Sequence, residues 1–195
     1  MRVASILLAA GGSTRLGSPK QLLLYGGQSL LRLAAATVQA VGCSPVVVVL
    51  GARAAEMRAE LTGLDVTTIE NTGWERGMGS SLRLGLETLL RTETPPDGIL
   101  LALCDQPLVA VEHLHALLDA FAAGSPLVAA AYGESVGVPA VFGQRHLAEL
   151  LALPDHSGAK ALLMAHRQNL TLVSLPQAAT DIDTREQYDR LTRTR

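Results

Sequence analysis

Residues 6–20, Ile6-Leu7-Leu8-Ala9-Ala10-Gly11-Gly12-Ser13-Thr14-Arg15-Leu16-Gly17-Ser18-Pro19-Lys20, join an apolar run to a glycine turn that ends in two cations. The run from Val3 to Ala10 is too short to span a membrane and nearly unbroken in its apolarity, the pattern of a strand buried on both faces of a parallel sheet. Gly11 and Gly12 end it. Without Cβ atoms they let backbone N–H groups approach phosphate oxygens, and successive N–H groups in such a turn form an anion-binding concavity. Arg15 and Lys20 add a planar guanidinium and a point-charge ammonium, which together suit a nucleoside triphosphate and a transition state with charge spread over oxygens. Two other phosphate motifs are excluded. Gly12 and Gly17 have P-loop spacing, but Ser18 and Pro19 intervene before Lys20. Gly11, Gly12 and Gly17 do not fit the dinucleotide fingerprint Gly-x-Gly-x-x-Gly.

Working outward, helix and strand signals alternate to the C-terminus without a linker or repeat, so residues 1–195 are expected to form a single domain. Ser29 is placed to cap a helix through Leu31, Ala34, Ala35, Val38 and Val41, stopped by Gly42. Further strands are predicted at Pro45–Leu50, Val66–Glu70, Ile99–Cys104, Leu127–Tyr132, Val136–Phe142 and Leu170–Leu175. Helices are predicted at about Ala54–Leu61, from Ser80 or Ser81 through Leu90, and at Glu112–Ala123, Arg145–Leu153, Gly158–Arg167 and Arg185–Leu191. Strands separated by helices imply parallel pairing through right-handed crossovers. The expected fold is therefore an α/β three-layer sandwich with a mostly parallel central sheet, its ligands lying outside the carboxyl ends of the strands.

The formal charge of −2 and an aromatic content of 3% give no reason to expect a nucleic-acid partner. Cys43 and Cys104 have no metal-like spacing and are expected to be reduced thiols, which suits the cytoplasm. No secretory signal pattern and no apolar run approaching about 18 residues is present, so no membrane association is expected.

A bound nucleoside triphosphate is commonly accompanied by Mg²⁺, an ion that takes carboxylate, phosphate and water oxygens. Asp105 follows five small or apolar residues and sits where a strand leaves the sheet. Asp181 and Asp183 flank Ile182 and share one face if that segment is extended. Structural alternatives stand beside these roles: Asp105 as a turn or N-cap residue, and Asp181 or Asp183 as the cap of the last helix, where Thr184 competes. Trp74 is read as a packing residue that anchors its loop. His113, His115, His146 and His166 form no convincing metal set and are expected on the surface or rim.

The opening string is similar to the signature of GT-A-like nucleotidyltransferases, LAAGxSxRMGxPK, through Leu8, Ala9, Ala10, Gly11, Ser13, Arg15, Gly17, Pro19 and Lys20, with Leu16 in place of Met. Asp105-Gln106-Pro107 and Asp181-Ile182-Asp183-Thr184-x-Glu186-x-Tyr188 resemble the later motifs of molybdenum-cofactor nucleotidyltransferases of the MobA/MocA type. That resemblance implies a GT-A-like, Rossmann-like fold with Arg15, Lys20 and Asp105 as catalytic residues. It implies Asp105, Asp183 and Asp181 as ligands of Mg²⁺, or of Mn²⁺. Nucleotide contacts are implied at Leu8, Ala9, Ala10, Gly11, Gly12 and Ser13, with base recognition from Asn71, Gly79, Ser80 and Ser81. The LAAG string, where guanylyl-transferring relatives have LAGG, implies CTP as donor. The implied acceptor is the phosphate of molybdenum-bound molybdopterin, and a molybdenum hydroxylase is the implied recipient of the product. Val138 stands where the family commonly has His. His156 takes an acidic position unless Asp155 substitutes for it, and Lys160 replaces an Arg. Rival expectations are the same chemistry on a sugar or alcohol phosphate, a cofactor-delivery chaperone, and an NADPH-dependent reductase on this scaffold.

Overall fold

The computed structural model describes residues 1–13, 16–92 and 94–193. In chain order these form β1 (Val3–Ala9), β2 (Leu24–Tyr25), β3 (Gln28–Ser29), α1 (Leu30–Ala40), β4 (Val46–Leu50), α2 (Ala54–Glu60), β5 (Thr67–Glu70), α3 (Met78–Leu90), β6 (Gly98–Leu103), α4 (Val111–Ala122), β7 (Leu127–Tyr132), β8 (Ser135–Gly143), α5 (Leu147–Leu151), α6 (Lys160–Ala165), β9 (Thr171–Ser174) and α7 (Arg185–Arg193). Seven strands make one sheet in the order β5-β4-β1-β6-β8-β7-β9.

The three layers follow from strand alternation. Along β1, Val3, Leu7 and Ala9 face one core with Leu31, Val38, Met57, Leu114 and Leu117, contributed by α1, α2 and α4. Ala4, Ile6 and Leu8 face the other with Leu82, Leu86, Leu150 and Leu162, contributed by α3, α5 and α6. A strand covered by helices on both faces is apolar at nearly every position, which is why β1, with Ser5 as its one polar residue, and β4 show no polar alternation.

Strand β8 departs from the expected parallel pairing, running antiparallel to both β6 and β7. Only Gly133 and Glu134 separate β7 from β8, and two residues can close a hairpin but not a crossover. A second small hairpin, β2–β3, was not anticipated by periodicity because each arm is two residues long. Its turn residues, Gly26 and Gly27, adopt φ of +62° and +84°, the signature of a two-residue hairpin loop. Helix α1 starts as expected, with the Ser29 hydroxyl accepting from the Arg32 N–H. Helix α3 begins at Met78, earlier than the serines suggested, because the Ser80 hydroxyl donates to the Gly77 carbonyl at 2.7 Å and does not cap. No helix among the described residues is long and apolar enough to cross a membrane.

Candidate active site

Strands β1 and β6 lie side by side and parallel, with Leu8 opposite Leu103, so the glycine turn and Asp105 leave the sheet at the same end. Lys20 opens a 3₁₀ turn over Lys20–Leu22 directly beneath them. Its Nζ donates to Asp105 Oδ2 at 2.5 Å and to Asp183 Oδ1 at 2.8 Å. Asp183 is delivered from far along the chain because the fully buried Ile182 donates its N–H to the Asp105 carbonyl at 3.1 Å, strapping residues 181–183 across the strand end. Thr184, not either aspartate, caps α7: its Oγ1 accepts from the Gln187 N–H while Gln187 Oε1 accepts from the N–H groups of Asp183 and Thr184. Both aspartates are thereby released from the capping role. Asp183 reaches the ammonium, whereas Asp181 lines a neighbouring hollow of about 500 Å³ with Tyr25, Leu108, Gln187 and Arg190.

Charge is concentrated here. Burial alone would lower the Lys20 ammonium, but the charge and hydrogen bond of Asp105, with the hydrogen bond to Asp183, outweigh it and hold the group above the ordinary lysine range. The Asp181 carboxyl is raised by burial first, then by the charges of Asp183 and Asp105. Burial pushes the Cys104 thiol up to about 12, with Asp105 adding to the shift and Lys20 opposing it. Cys104 is thus a neutral core thiol. Asp105 Oδ1 is buried without a hydrogen-bond partner among the described residues. Two carboxylates already converging on one cation, one with an unused buried oxygen, form a hard oxygen donor set that fits Mg²⁺ or Mn²⁺.

The glycine turn is held by a residue that the sequence reading passed over. Gln21, buried to 1% exposure, donates from its amide to the carbonyls of Ala9 at 2.9 Å and Gly11 at 2.7 Å. Ser13 Oγ accepts from the Lys20 N–H at 2.9 Å and donates to Gln21 Oε1. The signal available was position: a polar amide directly after Pro19-Lys20, followed by apolar residues. Gln106, present in the Asp105-Gln106-Pro107 motif but given no role there, donates from its amide to the Val138 and Ala178 carbonyls and so ties the end of β6 to β8 and to the 3₁₀ turn Pro176–Ala179.

Leu8, Ala9, Ala10, Gly11, Lys20, Ser81 and Asp105 line a cleft of about 300 Å³, closed on one side by Trp74, Gly77 and Met78. No atom lies within 4 Å of where a Cβ on Gly11 would sit, so this wall opens to the cleft. Trp74 packs its ring over Gly12, where a Cβ would come within 2.6 Å of Cη2; it anchors the loop and walls the cleft together. Asn71 stands one layer back. Its buried amide donates to Ser80 Oγ and Ser81 Oγ, both at 2.9 Å. Gly79 and Ser80 do not reach the cleft: Gly79 is pressed against the backbone of Pro154, Asp155 and Ser157, to which its own N–H donates at the Asp155 carbonyl. Arg15 lies outside the described residues. Asp155 is held by Arg83 at 2.8 Å, and Lys160 donates to Ser135 Oγ at 3.1 Å, so both act in loop packing.

His113, His115 and His166 lie at the surface or rim as expected, and His146 departs from that expectation. His113 Nδ1 accepts the Ala110 N–H at the start of α4, a structural contact. His146 is buried and meets His166 across Glu149.

An α/β sandwich with a glycine turn, a lysine and strand-end carboxylates at one sheet end defines a nucleotide-handling transferase scaffold. The chain belongs to the MobA-like NTP transferase domain family, whose model matches residues 5–170. It is similar to nicotine blue oxidoreductase of Paenarthrobacter nicotinovorans, 34% identical over 97% of this chain and 96% of that protein. Among solved structures it is similar to Rv0371c of Mycobacterium tuberculosis H37Rv, at 31% identity and a TM-score of 0.82 over 99% of both chains. The same mycobacterial protein is known as a manganese complex, matched at 29% identity and a TM-score of 0.79 over 100% of both chains. A nucleotidyl transferase from Methanothermobacter thermautotrophicus matches at 26% identity and a TM-score of 0.81, over 100% of this chain and 99% of that one.

Proposed function

We propose that this protein transfers CMP from CTP to the terminal phosphate of molybdenum-bound molybdopterin, releasing pyrophosphate. The observation that carries the proposal is the Lys20 ammonium joined to Asp105 and Asp183 at the mouth of the cleft beneath the glycine turn. The acceptor phosphate is anionic near neutral pH. One of its oxygens forms a bond to the α-phosphorus of CTP, the bond from that phosphorus to the β-phosphate bridging oxygen breaks, and pyrophosphate leaves with the electron pair. No proton need be removed from the nucleophile, so the protein's task is positioning and charge neutralisation. Backbone N–H groups of the Gly11–Ser13 turn receive the phosphates, while Lys20 and Arg15 offset their charge. Asp105 and Asp183, with Asp181 nearby, would hold Mg²⁺ or Mn²⁺, and such an ion when bound neutralises phosphate oxygens. The Leu8-Ala9-Ala10-Gly11 string that lines the cleft, where guanylyl-transferring relatives have LAGG, supports CTP as the donor. Single-domain organisation over 1–195 and a cytoplasmic location belong to the same proposal.

Lys20→Ala is expected to lower turnover by about 10²-fold or more, as for loss of one preorganised donor. The direct test is a product assay with CTP, GTP, UTP and ATP against molybdopterin, sugar-phosphate and alcohol-phosphate acceptors, scored by pyrophosphate release. Turnover with CTP and molybdopterin supports the assignment, and near-normal turnover of Lys20→Ala removes it. A second possibility, an NADPH-dependent reductase, is favoured by the similarity to nicotine blue oxidoreductase. Saturable NADPH oxidation by a dye substrate, with no thermal stabilisation by CTP and Mg²⁺, would select it instead.

A further inference from the structure

At the other end of the sheet lies a cluster that the cleft does not use. Gly143 at the end of β8 pairs with Gly98 at the start of β6, so the turn that follows, Gln144–His146, is at the rim opposite Asp105. There His146 Nδ1 is 3.0 Å from Glu149 Oε1, and His166 Nε2 is 2.6 Å from Glu149 Oε2. The three ligand atoms all lie within 4.8 Å of one another. The i,i+3 spacing puts His146 and Glu149 on one face as α5 begins, and His166 arrives from the C-cap of α6. His146 is 6% exposed, His166 29% and Glu149 46%, so one ligand is anchored in the core while the other two reach solvent.

We propose that His146, Glu149 and His166 form a second divalent-metal site, separate from the cleft, that takes a borderline transition ion such as Zn²⁺. Two imidazole nitrogens and one carboxylate oxygen are a donor set for such ions, whereas Mg²⁺ prefers oxygen alone. Bond lengths near 2.0–2.2 Å require only small side-chain adjustment, and water completes the coordination on the Glu149 side. One neighbour opposes the ion. Arg145 Nε donates to His146 Nε2 at 3.2 Å, which keeps the ring proton on Nδ1. Metal binding at Nδ1 moves that proton to Nε2 and breaks the Arg145 hydrogen bond, so Arg145 weakens the site. Bound metal clips α5 to α6 without entering the nucleotide cleft.

The test is calorimetric titration of the tag-free, chelator-treated full chain with Zn²⁺ and, separately, Mg²⁺, together with Co²⁺ visible absorption as a report of nitrogen ligation. One Zn²⁺ per chain is expected to bind in an Asp105→Asn background, where the cleft is disabled. Binding should weaken at least tenfold in His166→Gln and in Glu149→Gln and tighten in Arg145→Ala, and Mg²⁺ should not compete. Circular dichroism identifies any variant that fails to fold, and the two exposed-side substitutions make independent checks. Zn²⁺ binding that is unchanged in both, or that vanishes only with Asp105→Asn, overturns the site. Neither result bears on cytidylyl transfer.

Discussion

Gln21 shows how one side chain can position a functional turn without touching a substrate. Its two amide hydrogens satisfy the carbonyls of Ala9, the last residue of β1, and of Gly11, beyond the sheet. Gln21→Ala leaves these acceptors unpaired and is expected to destabilise the fold by about 1–3 kcal/mol. Urea unfolding checks this, and triphosphate binding should weaken with it because the turn loses its anchor. Gln21→Glu should be at least as damaging, since a carboxylate has no hydrogen to offer two carbonyls.

Among the elements, α3 is one whose position depends on an absent side chain. A Cβ on Gly79 would lie 2.8 Å from the Ser157 carbonyl oxygen and closer still to that of Pro154. Both are backbone atoms and cannot rotate away. Gly79→Ala is therefore expected to cost about 1–3 kcal/mol through overpacking. It should also move the start of α3, and with it the Ser81 wall of the cleft, away from the 154–158 loop. Comparing thermal midpoints with nucleotide affinity separates the two effects. Gly79 is among the residues implied to recognise the base, a role in which a missing Cβ lets backbone approach a ligand, but the close approach found there is to the protein's own loop. Sequence cannot distinguish the two, because both demand the same missing Cβ.

On the scale of the whole molecule, the two cores meet through a single sheet, so damage to either should propagate. Phe142 is fully buried in the inserted antiparallel strand β8, flanked by Ile99 of β6 and Leu127 of β7. Phe142→Ala is expected to cost about 3–5 kcal/mol by cavity formation and lost transfer energy. Unfolding should remain one transition, measured by calorimetry, since β8 bridges the parallel half of the sheet to β7 and β9. Two separate transitions would mean that the halves on either side of β8 fold as independent units.

The apolar runs at Val3–Ala10 and Ile99–Cys104, the glycine pair and the serine cap of α1 act through neighbours a few residues away, so their strands, turn and helix start were legible in the chain itself. Asp105 could be read as a strand-end carboxylate for the same local reason. Which distant groups would meet it could not. The tertiary structure alone decided that Asp183 rather than Asp181 reaches Lys20, because the choice rests on the Ile182 N–H binding the Asp105 carbonyl and on Thr184 taking the cap. It alone decided the antiparallel seat of β8 and the meeting of His146 with His166. Those contacts join residues far apart in sequence, and local periodicity carries no record of a partner that only the folded sheet brings near.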